Sequence, residues 1–133
     1  MIVDSSAIVA ILKREPEWRA LSHALDTSEI SRISAANYFE SSIVVDGWKD
    51  PVLSAQLDEL MERFNIQIEP VTPEQARIAR QAYRDYGRGS GHAASLNFGD
   101  CFSYALARAK REPILFHGDD FVHTDLRSAV PQH

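Results

Sequence analysis

The residue types that could do chemistry in this sequence are five carboxylates: Asp4, Glu40, Asp100 and the adjacent Asp119 and Asp120. Each also has an ordinary structural reading. Asp4 follows the apolar pair Ile2-Val3 and precedes Ser5-Ser6, where a helix N-cap belongs. Asp100 falls in the first turn of a helix, where the dipole favours a carboxylate by about 0.3–1 kcal/mol. Asp119-Asp120 follows Gly118 and suits a turn before a helix start. Glu40 fits such a role less well. It lies inside a helix that begins near Ala35, between Ala36 and Ile43, and that spacing tilts it toward a buried face. An unpaired carboxylate there costs several kcal/mol.

Read together, the acids make a pattern. Asp4 and Asp119 end strands, while Glu40 and Asp100 face inward from a helix or open one. Converging carboxylates repel one another unless cations neutralise them. Hard oxygen ligands select Mg²⁺ or Mn²⁺ over zinc. Such a site, with one or two ions, activates water and stabilises the charge that builds on a phosphate. Nucleases and phosphatases of small phosphoesters both use that chemistry.

The elements that must position these acids follow from periodicity and caps. Ile2-Val3 reads as a short buried strand, and Ser5 to Leu12 as a helix capped by Asp4 or Ser5. Pro16 opens a second helix to about Leu25. Glu29 to Ser34 alternates as a strand. Ser34 then caps a helix to about Gly47, with Ile33 as a hydrophobic staple. From Pro51 to Asn65, Leu53, Leu57, Leu60, Met61 and Phe64 recur at helical spacing. Gln67 to Pro70 is a short strand. Thr72, Pro73 and Gln75 mark a helix start that runs to about Tyr86. The glycines between Tyr86 and His92 form a surface loop. Asn97 to Lys110 is a further helix, and Ile114-Leu115-Phe116 a strand. A turn at Gly118, a short helical stretch near Phe121 and a last strand at Ser128-Ala129-Val130 complete the chain. Short strands separated by helices predict a three-layer α/β/α sandwich around a mainly parallel sheet. The ligand crevice of such a sheet lies outside the carboxyl ends of its strands.

Composition sets the remaining bounds. The 133 residues suit a single domain, 1–133, and 44% apolar with 25% charged content is that of a globular protein. The N-terminus lacks signal-peptide features and no apolar run is long enough to span a membrane. A single cysteine, Cys101, suits a reducing compartment, so a cytoplasmic location is expected. Net charge of −5 argues against nucleic-acid binding when taken alone. A cation site inverts that local sign.

Other residues weigh less. His92, His117 and His123 lack a zinc spacing, His23 and His133 add nothing, and all read as surface residues. Cys101 reads as a small core hydrophobe. Trp18 and Trp48 suit core or partner packing more than base stacking. Arg77, Arg80, Arg84 and Arg88 form a basic side, either solvated or a track for RNA phosphates.

Four segments carry a family resemblance: Asp4-Ser5-Ser6-Ala7, Ser34-Ala35-Ala36-Asn37-Tyr38-Phe39-Glu40, Leu96-Asn97-Phe98-Gly99-Asp100-Cys101 and Leu115-Phe116-His117-Gly118-Asp119-Asp120-Phe121. Over essentially its whole length the chain resembles the PIN-domain toxins called VapC. The resemblance implies a Mg²⁺- or Mn²⁺-dependent endoribonuclease that leaves a 5′-phosphate and is neutralised by a VapB antitoxin. It also implies toxin dimerisation and a toxin–antitoxin hetero-oligomer. Asp4, Glu40 and Asp100 match the family's metal-binding acids. The fourth falls at Asp119 or Asp120, with Asp119 favoured as nearer the strand end. Ser6 matches a hydroxyl position that holds the first acid or a phosphate oxygen. The antitoxin would lie on the apolar helix faces near residues 8–25 and 36–61. A PIN nuclease of housekeeping RNA processing and a non-catalytic interaction module are the alternatives.

Overall fold

A computed structural model of the chain describes residues 1–131. Four strands form one parallel sheet: β1 (Ile2–Val3), β2 (Arg32–Ser34), β3 (Gln67–Glu69) and β4 (Ile114–Leu115), in the spatial order β3-β2-β1-β4. The helices are α1 (Ser5–Leu12), α2 (Trp18–Thr27), α3 (Ala35–Gly47), α4 (Pro51–Arg63), α5 (Pro73–Tyr86) and α6 (Phe98–Lys110).

Alternation along the strands divides the interior into two cores. Val3, Ile33 and Leu115 face one way, onto Ile8, Ile11, Leu21, Leu57 and Leu60 of α1, α2 and α4. Ile2, Ile114 and Phe116 face the other way, onto Ala82 of α5 and Leu106 of α6. Side chains of successive strand residues point to opposite faces, so a two-residue strand suffices to serve both cores. The result is the expected three-layer sandwich.

Strand order also explains where a ligand crevice must open. The connections from β1 to β2 and from β2 to β3 step one way across the sheet. The connection through α5 and α6 returns past them to place β4 beside β1. Right-handed crossovers running in opposite directions lie on opposite faces. The chain therefore diverges between β1 and β4, and the crevice at their carboxyl ends is the topological switch point.

Local chemistry fixes most element ends as expected. Asp4, Ser34, Asp50 and Thr72 each accept a backbone N–H as N-caps, and Pro51 and Pro73 open their helices. Four expectations change. The strand foreseen from Glu29 forms only at Arg32–Ser34, where β1 and β3 supply backbone partners on both sides. The second helix begins at Trp18 rather than Pro16, with Glu17 making no side-chain cap. The stretch near Phe121 is a pair of tight turns, Val122 N–H to Asp119 O and Thr124 N–H to Phe121 O, and not a helix. The last strand contracts to one parallel bridge between Ser128 and Ile114. Of the histidines named above, His133 lies outside the described residues. No helix among the described residues is long and apolar enough to cross a membrane.

Candidate active site

Asp4, the residue after β1, is 2% exposed and caps α1. Its Oδ2 accepts the Ser6 N–H at 3.0 Å, and its Oδ1 accepts the hydroxyl of Ser103, which α6 delivers from 99 residues away, at 2.5 Å. Ser6 also accepts the His117 N–H at 3.0 Å, which ties the end of β4 to the start of α1. Burial pushes the Asp4 carboxyl above its ordinary range. The Ser103 and Ser6 hydrogen bonds pull it down, and Glu40 pushes it further up.

Asp100 occupies the first turn of α6. It forms a capping box with Asn97: the Asp100 N–H donates to Asn97 Oδ1 at 2.9 Å, and the Asn97 N–H donates to Asp100 Oδ2 at 3.0 Å. The residue is 6% exposed. Burial raises its carboxyl to about 7; the Asn97 hydrogen bond opposes this, and Asp4, Asp120 and Glu40 push it upward in that order.

Glu40 reaches the same place from α3. The buried face of that helix carries Asn37, Ser41 and Val45, whereas Ile43 is 57% exposed. The face assigned from Ala36 and Ile43 is therefore not the buried one, and Glu40 stands half-buried at its edge. What draws it inward is a contact that spacing within α3 could not reveal. Glu40 Oε1 accepts the Ser5 hydroxyl at 2.5 Å and the Asn37 amide at 3.3 Å. Asn37 also donates to the Gly99 carbonyl at 2.9 Å, joining α3 to α6. The Glu40 carboxylate lies directly on Gly99, so that a Cβ at that position would have to displace it.

Asp119 and Asp120 follow Gly118, which turns the chain at φ 97°. Both are exposed. They diverge: Asp120 acts electrostatically on Asp100, while Asp119 lines a separate cleft with Glu17, Arg19 and His117. Of the five carboxylates, Asp4 and Asp100 are thus buried, Glu40 is half-buried, and Asp119 and Asp120 are exposed.

The donors are all carboxylate and hydroxyl oxygen, the set that hard divalent ions take. Among the described residues no three His, Cys, Asp or Glu side chains converge at ligating range, since Asp4, Glu40 and Asp100 each turn onto hydroxyl or amide donors. The residues nonetheless fit a cation. No ion pair among the described residues reaches Asp4, Glu40 or Asp100, so their mutual repulsion is left without a counter-charge. Asn37 Oδ1 is buried beside Glu40 without a hydrogen-bond partner, a further oxygen of the same kind.

Asn37, Gly99 and Ser103 are the participants that sequence reasoning passed over. Their signal was present as spacing: Asn37 lies three residues before Glu40, and Ser103 three after Asp100, on the same helix faces. The histidines stay outside the cluster. His92 packs edge-on against Tyr86 and accepts the Ala94 N–H at 3.0 Å, His117 faces Glu17 at 3.2 Å, and His23 and His123 are exposed. Cys101 is buried, with its thiol pushed up to about 11 by burial and by Asp100, which leaves it an unreactive hydrophobe. Trp48 packs on the first core beside Lys13, and Trp18 stacks under Arg14.

The PIN-domain family model matches residues 1–126. The chain belongs to the PIN-domain family. Within that family it is 55% identical over 130 residues to Ribonuclease VapC28 of Mycobacterium tuberculosis, covering 98% of both chains, which makes it a VapC-family protein. Among solved structures, Mycobacterium tuberculosis VapC20, a sarcin–ricin loop cleaving toxin, shares the fold with a TM-score of 0.75 at 16% identity, over 98% of each chain. A toxin–antitoxin complex from Klebsiella pneumoniae shares it with a TM-score of 0.70 at 14% identity, over 98% of this chain and 95% of that one.

Proposed function

We propose that this VapC-family protein is a Mg²⁺- or Mn²⁺-dependent endoribonuclease, the toxin of a toxin–antitoxin pair, working in the cytoplasm as a single PIN domain. The observation that carries this reading is the meeting of Asp4 and Asp100 at the switch point of the sheet. Both are buried, both are raised in pKa, and neither has a basic partner. The 55% identity to a named ribonuclease directs that chemistry to RNA.

Asp4 and Asp100 would hold the principal cation, with Glu40 beside them and Asp120, rather than Asp119, as the fourth acid. When bound, a divalent cation supplies positive charge against the scissile phosphate and lowers the pKa of a neighbouring water. The protein's own work is placement. Ser103 and Ser6 hold the Asp4 carboxylate, Asn97 holds Asp100, and Ser5 with Asn37 holds Glu40 where it can orient the attacking water. Asp120 adds negative charge at the rim.

An antitoxin helix has a seat on the opposite side of α1. Ile11, Leu12, Trp18, Leu60 and Phe64 line a groove of about 340 Å³ between α1, α2 and α4, of the kind that takes the apolar face of a helix. A homodimer and a toxin–antitoxin hetero-oligomer complete the proposal. Transfer RNA and ribosomal RNA loops are the substrates to test.

The deciding experiment maps cleavage in total RNA with Mg²⁺, with Mn²⁺ and with chelator, using the parent and Asp100→Asn. Cleavage that needs the cation and fails in the folded variant is expected. Cleavage that persists in chelator, or in Asp100→Asn at the parent rate, overturns the reading.

A further inference from the structure

A groove between α5 and α6 takes no part in the chemistry above. It encloses about 560 Å³, a volume typical of small-ligand pockets. Arg80, Tyr83, Arg88, Asn97, Phe98 and Phe102 line it. Phe98, the first residue of α6, is 80% exposed, an unusual state for a large aromatic residue. It stands edge-on to Phe102, with ring centroids 4.9 Å apart and planes at 81°, so the Phe102 contact leaves ring face available. Tyr83 is 51% exposed, and its hydroxyl donates to the Arg88 carbonyl at 3.0 Å, pinning that backbone at the groove.

The charge is equally one-sided. The charged residues that line the groove are both arginines, on a chain whose net charge is −5. The groove adjoins the acidic cluster through a single residue. Asn97 lines it and exchanges two hydrogen bonds with Asp100. Phe98 and Asp100 share the first turn of α6 and, two residues apart, point to different sides of the helix, Phe98 to the groove and Asp100 to the buried cluster.

We infer that this groove receives one unpaired nucleobase of the RNA substrate, stacked on Phe98, with the adjoining phosphates on Arg80 and Arg88. The inference rests on the ribonuclease reading and adds the element that sets which nucleotide lies at the acids. Aromatic faces with neighbouring arginines are the means by which proteins hold single-stranded nucleic acid. RNA specificity is read mainly on unpaired bases. A second copy of the chain is a poorer occupant. A two-fold contact would set the arginines of one patch against the same carboxylate-free patch on the other. Of the basic side formed by Arg77, Arg80, Arg84 and Arg88, the groove uses Arg80 and Arg88.

The test measures binding of a short labelled single-stranded RNA in chelator, where cleavage is silent, and of a blunt duplex of the same sequence. Phe98→Ala is expected to weaken single-strand binding about tenfold and leave the duplex alone, and Phe98→Trp to restore it. Arg80→Gln should lower the slope of log affinity against log salt by about one. In the presence of cation, Phe98→Ala should raise KM and blur the choice of cleavage site. Parent-like single-strand binding and cleavage sites in Phe98→Ala overturn the inference while leaving the ribonuclease reading intact. A shift of that variant from dimer to monomer in sedimentation, with RNA binding kept, overturns it in favour of a contact between copies. A parent that neither binds nor cleaves RNA overturns the ribonuclease reading, and this inference with it.

Discussion

The two ends of one parallel sheet carry charge in opposite ways. At the amino ends, the Met1 ammonium meets Glu112 at 2.5 Å and Arg32, the first residue of β2, joins Glu112 at 3.1 Å, while Arg32 also reaches along the sheet to Glu69, the last residue of β3, at 2.7 Å. Each acid there has a basic partner. Partial burial works to raise Glu112, but the ammonium and Arg32 outweigh it and hold that carboxyl below its usual range. At the carboxyl ends, Asp4, Glu40 and Asp100 act on one another electrostatically with no basic partner among the described residues, and burial drives Asp4 and Asp100 upward. Only Ile2 and Val3 of β1 separate the two arrangements. Paired charge of the first kind stabilises the native state. Unpaired like charge of the second kind costs stability and is retained where chemistry needs it.

The largest effect expected is at the unpaired end. Asp100→Asn should reduce RNA cleavage by more than the ~10–100-fold that loss of a residue merely supporting a metal ligand costs, measured on labelled RNA with saturating Mg²⁺. The same variant should be more stable than the parent in chelator at neutral pH. In the fold, Asp100 titrates near 7, against about 3.9 in an unfolded chain, so its ionisation works against folding. Its contribution to stability is whole below about pH 4 and is lost as pH rises to about 7. Thermal melts across that range should show the advantage of Asp100→Asn growing with pH. A constant difference would break the comparison at its centre.

Gly99→Ala should come next. A Cβ there meets the Glu40 carboxylate, which is the free end of a flexible side chain, so displacement falls on the site more than on the core. Activity should fall about 10²-fold, in line with the cost of misplacing a reacting group, with only a small change in melting temperature. An equal fall in both would make Gly99 a packing residue only.

Asp120→Asn and Asp119→Asn separate the neighbouring acids. Loss of the Asp120 charge should lower the apparent pKa of Asp100 and raise the Mg²⁺ needed for half-maximal cleavage a few-fold, a screened surface effect. Asp119→Asn should shift the Mg²⁺ requirement less. The reverse ranking would restore Asp119 as the fourth acid.

The smallest effect belongs to the paired end. Glu112→Gln should cost about 1 kcal/mol of stability at pH 7. Because the folded carboxyl is held below its unfolded value, that contribution is present above about pH 4.3 and disappears as pH falls through the folded pKa. The two ends should therefore show opposite pH slopes in denaturant titrations. Equal slopes would mean that the contrast is geometric without being energetic.

Much of this was legible in the sequence because its signals are local. Asp4, Ser34 and Thr72 cap helices by hydrogen bonds spanning two or three residues, and the core positions of α4 and α6 repeat at helical spacing. Those contacts lie within a turn of the residues that reveal them. The fourfold set of acids could be listed from sequence and resemblance. Its internal geometry could not. Ser103 reaches Asp4 across 99 residues, Asn37 reaches Gly99 across 62, and Asp120 acts on Asp100 from the turn past β4. The exposed Ile43 misdirected the placement of Glu40 for the same reason: the elements packed on α3, namely α1, α4 and α6, decide which of its sides is interior. By itself the sequence determined the elements, their caps and the acidic residue types, since these depend on backbone hydrogen bonds and periodicity along the chain. Only the tertiary structure decided which acids meet and which oxygens stay unpaired. That depends on the strand order that brings β1 beside β4 and sets α3 against the start of α6.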